Sequence, residues 1–247
     1  TTFEELNNVN HYSFNNLHPA GNVGVQIHHI KPISNSNDAR WYISPQDLNR
    51  IGEFFTTGKY PNRRYVNAGG NGLNTNIMYD ILIGTSISDF IELKEGQLRI
   101  ISGDVLNGKE INSQNSLNYY DEIISVIKTN NKREFLGWMM PGLTKYSLTN
   151  TFLSKLNNNN NAKLSTKVNG SIRTIIPMGN WDKVMPMNIL TEYLVKNILA
   201  EDIDMMEKLG IYECSPEDFS LCAFACQSKV EVSKIIEEGL DLMEKEG

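Results

Sequence analysis

Three cysteines near the C-terminal end, Cys214, Cys222 and Cys226, carry the most distinctive chemistry in the chain, because clustered thiolates can ligate zinc or an iron–sulfur cluster. The spacing argues against it. A four-iron cluster uses four cysteines in a tight C-x2-C-x2-C run, whereas Cys214-x7-Cys222-x3-Cys226 offers three and has no proline after the last. Ser215-Pro216-Glu217-Asp218 has the form of a helix start, which sets Cys222 and Cys226 on one stripe with Phe219. Free cysteine in such a stripe is a small core hydrophobe. His28 and His29 are adjacent, so on a strand they face opposite ways and cannot share a metal. His11 and His18 complete no H-x-x-H or H-E-x-x-H spacing.

Gly21 and Gly24, and again Gly69, Gly70 and Gly72, form neither G-x-G-x-x-G nor a phosphate-binding loop, and turns between strands account for them better. No Gly-x-Ser-x-Gly elbow occurs, although a triad assembled from distant residues would leave no local trace. Two further stretches combine Trp, Met, Pro and Gly: Phe135 to Gly142, with Trp138, Met139 and Met140, and Ile175 to Met187, with Met178, Asn180, Trp181 and Met185. Such residues build adaptable apolar surfaces for a flat ligand or a partner protein, and they also pack ordinary cores.

The elements that position these residues follow from periodicity. Val23, Val25 and Ile27 alternate with small or polar neighbours up to Ile30 and predict a strand. Ser44-Pro45-Gln46-Asp47 predicts a helix start, Leu48, Ile51, Phe54 and Phe55 share one face, and Gly58 ends the helix. Strands are expected at Tyr65 to Asn67, Ile77 to Ile83, Leu98 to Ser102 and Ile123 to Ile127, with one short helix between Gly84 and Lys94 capped by Ser86. Helices are expected near Thr149 to Leu156, Asn188 to Leu199, Ile203 to Leu209, Pro216 to Cys226 and Val230 to Lys245. The stripe of the last is Val232, Ile235, Ile236, Leu240 and Met243. The asparagine run 157–161 cannot bury apolar surface and reads as a surface insert.

Hydrophobic residues make up 40% and charged residues 21% of 247, which fits a globular chain of one to two domains. No apolar run is long enough to span a bilayer. The net charge of -6 argues against nucleic acid as a partner. An odd, crowded set of three cysteines points to a reducing compartment, and the absence of an initial Met points to a piece of a longer protein. From Glu192 onward, 14 acids face five lysines, so the tail is -9 and the first 191 residues +3. Such a tail fits a solvated helical face, or an acidic face opposed to a milder partner-facing one.

The strings HPAGNVGVQIHHIKPIS (His18 to Ser34), FTTG (Phe55 to Gly58), RIISGDVLNGKEI (Arg99 to Ile111), EFLGWMMPG (Glu134 to Gly142), IIPMGNWDKVMPMNIL (Ile175 to Leu190) and the ending from Leu221 to Gly247 resemble the A subunit of the sodium-translocating NADH:quinone reductase. The resemblance covers nearly the whole chain and corresponds to the second half or so of that subunit. It implies an α+β multidomain fold: the tail of a Rossmann-like α/β domain at 1–60, a β-grasp domain of the soluble-ligand-binding type at 61–138, and a helical domain at 139–247 containing the asparagine insert. Relatives of the family, including the C subunit of the Rnf complex, carry cluster-binding cysteines in this helical region. The departure at Cys214, Cys222 and Cys226 fits a subunit without its own cluster.

The resemblance further implies a peripheral subunit on the cytoplasmic face of the bacterial inner membrane, not catalytic as an isolated fragment. NADH, FMN, FAD and an iron–sulfur centre belong to other subunits, and the expected partners are those subunits, especially the membrane subunit of the quinone site. Quinone is the candidate ligand of this chain. A quinone needs an apolar slot and one or two donors to its carbonyl oxygens, which directs attention to Trp138, Met139, Met140, Met178, Trp181 and Met185 with Arg173 or Asn180 as donor. A stand-alone ligand-binding β-grasp module without redox function is the competing reading, and it requires a closed polar pocket in the β-grasp region.

Overall fold

The computed structural model describes residues 8–15, 17–129, 135–143, 145–147, 150–156, 166, 168 and 170–247. The asparagine run 157–161 lies outside them. Helices α1 (Val23–Ile30) and α2 (Pro45–Thr57) precede five strands, β1 (Arg63–Gly69), β2 (Ile77–Leu82), β3 (Leu98–Ser102), β4 (Lys109–Ile111) and β5 (Ile123–Lys128). Helices α3 (Thr191–Leu199), α4 (Ile203–Lys208), α5 (Ser220–Ala225) and α6 (Val232–Glu246) follow, with two 3-10 turns, Ile211–Glu213 and Pro216–Phe219, between α4 and α5. The chain divides into two compact units, Ile43–Ser171 and Thr1–Tyr42 with Ile172–Gly247.

The unit Ile43–Ser171 is built on one mixed sheet of order β2-β1-β5-β3-β4. Its central strands β1 and β5 run parallel and every other neighbouring pair is antiparallel, which is the β-grasp order. Alternation along β1 explains the layering: Arg64, Val66 and Ala68 are buried while Tyr65 and Asn67 face out. Val66, Ile81, Ile100, Ile124 and Val126 form the covered face, closed by Leu73, Ile87 and Ile91. The expected helix from Gly84 to Lys94 shrinks to one 3-10 turn, Ile87–Asp89, and Ser86 makes no side-chain cap. The reason lies just beyond the turn, where Leu93 pairs with Leu73 and Lys94 N–H donates to the Gly72 carbonyl at 3.0 Å, so the chain is extended where the helix would have to continue.

Helix α2 starts and stops as its sequence predicts. The Ser44 hydroxyl accepts from Asp47 N–H, Pro45 occupies the first turn, and Gly58 closes the helix at φ 68°. Its apolar face nevertheless stays open, with Leu48, Ile51, Phe54 and Phe55 all exposed. Polar ties hold it to β1: Gln46 donates to the Tyr65 carbonyl at 3.3 Å and accepts from Tyr65 N–H at 2.5 Å.

In the other unit, α3, α4, α5 and α6 pack around Leu194, Val195, Met206, Phe219, Cys222, Val232 and Ile236. The buried stripe of α6 is Val232, Ile236, Gly239 and Met243, with Ile235 and Leu240 partly covered. The helices expected over Thr149 to Leu156 and Pro216 to Cys226 are shorter: a 3-10 turn at Leu153–Leu156, and a 3-10 turn at Pro216–Phe219 leading into α5.

Residues Val23–Ile30 correct the strand expectation, since they form α1. The alternation of V-G-V-Q-I is equally compatible with a helix that buries few of its residues, and here only Val25 is buried. What selects the helix lies near the other end of the chain. The Asp218 carboxylate, held by Ser215 N–H at 3.3 Å, lies against Gly24 in the first turn of α1, and the Asn22 side chain donates to the adjacent Glu217 carbonyl at 3.2 Å, which places an acidic group at the positive end of the helix. Gly24 is therefore no turn residue. A Cβ added there would lie 2.0 Å from Asp218 Oδ2, so the carboxylate reaches the first turn only because that position has no side chain.

Candidate functional site

The stretch from Ser171 to Leu190 has no helix or strand, so its shape is set by side chains and loop bonds. Arg173 N–H donates to the Ser228 carbonyl at 2.9 Å, and Ser228 Oγ donates to that of Thr174 at 2.8 Å. Further on, Glu192 Oε1 accepts from Gly179 N–H at 2.8 Å and Met178 N–H at 3.1 Å. That carboxylate, in the first turn of α3, fixes a bend at Gly179, and the bend turns Trp181 inward to 5% exposure.

The result is a shallow pocket whose walls include Arg173, Ile175, Met178, Asn180, Trp181 and Glu192. Its volume of about 50 Å³ is far below the roughly 300–1,000 Å³ that encloses a cofactor-sized ligand. It can receive an edge of a flat molecule, with Arg173 and Asn180 able to donate and Met178 and Trp181 offering apolar contact. Met185 sits beside the pocket's walls in sequence but packs into the core at 8% exposure.

Trp138, Met139 and Met140 belong to the other unit and are all exposed. They lie on a loop ordered by its own bonds: Met139 N–H donates to the Leu136 carbonyl at 2.9 Å, and Lys145 Nζ to that of Gly137 at 2.7 Å.

The cysteines behave as core residues. Cys214, Cys222 and Cys226 are buried and unpaired by disulfide. Burial pushes the Cys222 thiol up to about 12, and burial followed by the nearby Asp218 and Glu213 raises Cys214 further. A thiol so raised is protonated and a poor nucleophile at neutral pH. Among the described residues, no group of three or more His, Cys, Asp or Glu is arranged to hold a metal.

The two adjacent histidines lie on a helix, not a strand, and both are tied down. His28 Nδ1 bonds Glu213, and its Nε2 accepts from Asn188 N–H at 3.1 Å, which assigns the proton to Nδ1. His29 Nε2 donates to the Pro186 carbonyl at 3.0 Å. No sequence signal points to Glu213 or Asn188 as partners of His28, because they lie 185 and 160 residues away from it.

A second cluster is equally invisible in the sequence. In the sheet unit Arg50 pairs with Asp47 at 3.0 Å and lies 5.8–5.9 Å from the rings of Tyr60 and Tyr119, whose hydroxyls are 3.2 Å apart. The bond from Tyr60 and the adjacent guanidinium lower the Tyr119 phenol below the usual range. Arg64, 7% exposed, donates to the carbonyls of Asn118, Tyr119 and Asp121, which fixes that loop against β1.

Comparison with known proteins gives this arrangement a family. A family model described as the NqrA second alpha/beta domain matches residues 1–60. The A subunit of the Na(+)-translocating NADH-quinone reductase from Rhodopirellula baltica is 37% identical over 95% of this chain and 52% of its own length. Its counterparts in Vibrio atlanticus and Hahella chejuensis are 36% and 38% identical, over 97% and 95% of this chain and 54% and 53% of their own lengths. The multidomain α+β architecture, with its mixed sheet and helical C-terminal unit, accords with that likeness. Identity of 36–38% over nearly the full chain shows that it belongs to the family of the A subunit of the Na(+)-translocating NADH-quinone reductase and spans about half the length of the relatives it matches.

Proposed function

We propose that the protein is part of a peripheral subunit of a sodium-pumping NADH:quinone oxidoreductase, contributing assembly contacts and a surface that quinone approaches. The observation that carries this reading is the 36–38% identity over 95–97% of the chain to proteins named for the A subunit of that enzyme. In this reading the complex oxidises NADH, reduces quinone and exports sodium, with FMN, FAD and an iron–sulfur centre held by other subunits. The chain lies on the cytoplasmic face of the bacterial inner membrane against the membrane subunit of the quinone site. Support for a peripheral place is that, among the described residues, no helix is long and apolar enough to cross a membrane.

The domain division proposed is a Rossmann-like tail at 1–60, a β-grasp domain at 61–138 and a helical domain at 139–247. Within it, the quinone surface is assigned either to the shallow pocket of Arg173, Met178, Asn180 and Trp181, backed by Met185, or to the exposed Trp138, Met139 and Met140. The pocket fits the rim of a quinone ring and cannot enclose one, so the remaining wall must come from a partner. Residues of this chain would bind and orient: Arg173 or Asn180 donates to a quinone carbonyl while Met178 and Trp181 exclude water from one ring edge.

The test is to co-express the full-length subunit bearing this chain with the other subunits, purify by a tag on the membrane subunit, and measure sodium-stimulated quinone reduction. Co-purification with activity supports the reading, and a subunit that never joins the complex refutes it. Azidoquinone labelling of the complex is expected at Arg173–Trp181 or Trp138–Met140 and competed by unlabelled quinone. Labelling that avoids both stretches removes the quinone surface from this chain.

A further inference from the structure

We propose that the loop from Phe135 to Leu143 is a bilayer-interface anchor that seats its apolar side chains among the headgroups of an anionic phospholipid surface. The proposal rests on the peripheral placement above and names the partner of the Trp138–Met140 surface. Six apolar side chains point outward from this loop: Phe135, Leu136, Trp138, Met139, Met140 and Leu143, with Phe135 at 87% and Trp138 at 75% exposure. They are not loose. Lys145 N–H donates to the Gly142 carbonyl at 3.1 Å and Leu153 N–H to that of Pro141 at 2.9 Å. The Phe152 ring fills the space under Gly142, where an added Cβ would come within 2.6 Å of it.

The carbonyls of Leu136, Gly137, Pro141 and Gly142 thus have partners within the protein while the loop turns Trp and Met outward, as suits residues at the edge of a low-dielectric layer. Lys145 contributes to this by donating from Nζ to the Gly137 carbonyl. The charge of the segment selects the kind of surface. Between residues 128 and 156 the sequence has five bases and one acid, although the chain as a whole is net -6. Of these, Lys128 and Lys155 are exposed. Basic residues beside an apolar wedge are the combination that anionic leaflets attract. Another exposed apolar face, on α2, carries Asp47 and Glu53 against Arg50 and lacks that complementarity.

The test is co-flotation of the 247-residue chain with vesicles of phosphatidylglycerol and phosphatidylethanolamine, and with vesicles of phosphatidylcholine. Binding is expected to the anionic vesicles, to weaken with salt, and to fall at least about tenfold when Trp138→Ser, Met139→Ser and Met140→Ser are combined. A second readout guards against misfolding of that variant: brominated phosphatidylglycerol should quench the tryptophan emission of the unaltered chain, and Trp138→Phe should abolish the quenching while co-flotation persists. No binding to anionic vesicles, equal binding by the triple variant, or quenching that survives Trp138→Phe would each overturn the proposal. So would a triple variant that fails to join the complex while the unaltered chain ignores vesicles, since the loop would then dock on protein. Vesicle binding needs no other subunit, so an unaltered chain that assembles but does not bind vesicles refutes the anchor alone, and one that binds vesicles but fails to assemble refutes only the function proposed above.

Discussion

Trp138-Met139-Met140 and the stretch from Met178 to Met187 are alike in composition and opposite in outcome. In the second, the Glu192 carboxylate bends the backbone at Met178 and Gly179, and Trp181, Met185 and Met187 enter the helical core. In the first, the loop bonds to itself and Trp138 and its neighbours stay in solvent. Apolar side chains go inward when a neighbouring element offers a face to cover them, and the backbone anchor decides which way they turn. The difference separates a packing role from a contact role for residues of the same type.

Stability measurements sharpen that contrast most. Trp181→Ala is expected to cost about 3–5 kcal/mol in urea unfolding, because it empties a packed site. Trp138→Ala should change it by about 0.5 kcal/mol or less, as for other exposed positions. Equal losses at both sites would show that the Trp138 loop is packed in solution and would break the comparison. Gly24→Ala comes next, at about 1–3 kcal/mol, since its Cβ would be forced onto the Asp218 carboxylate. A neutral result there would mean that α1 does not lie against that carboxylate.

Asp218 predicts a smaller, pH-dependent effect. Burial is the first cause that raises its carboxyl above the ordinary range, outweighing the lowering influence of the nearby Asn22, Ser215 and Val25 donors. The folded state therefore binds the proton more tightly than the unfolded chain, and this group adds stability as pH falls from its raised value toward about 3.9. Asp218→Asn removes that dependence, so the stability difference between the native chain and the variant should shift in favour of the native chain as the pH is lowered toward about 3.9. A difference that stays constant or shifts the other way would contradict the raised carboxyl. The smallest expected signal is chemical: Cys214, Cys222 and Cys226 should resist a thiol reagent at neutral pH and react together once urea unfolds the chain. Rapid labelling of any of them in the native chain would place it outside the core.

Much of the fold is legible in local sequence where local chemistry suffices. Helix α2 needs only Ser44, Pro45 and Gly58, and strand β3 emerges with the bounds its apolar run implies, Leu98–Ser102. The cysteines read as core residues from their spacing, as the burial shows. Strand β4, three residues long, carries too short a pattern to announce itself and is defined by its pairing with β3. Of the candidate site, Arg173, Met178, Asn180 and Trp181 come together around one pocket, whereas Met185 goes to the core and Trp138–Met140 to another unit.

Ordered strings, two-residue alternation and capping residues act within a few positions of one another, so they suffice for the family, most strands of the sheet and the helical C-terminal unit. They do not suffice for the helical state of Val23–Ile30, for the bond between His28 and Glu213, or for the covering of Trp181 while Trp138 stays exposed. In each of those cases the deciding group lies outside the local pattern and arrives only when the chain folds. Asp218 at the start of α1 is such a group, since a carboxylate brought in by folding can overrule a local preference worth only a fraction of a kcal/mol per residue.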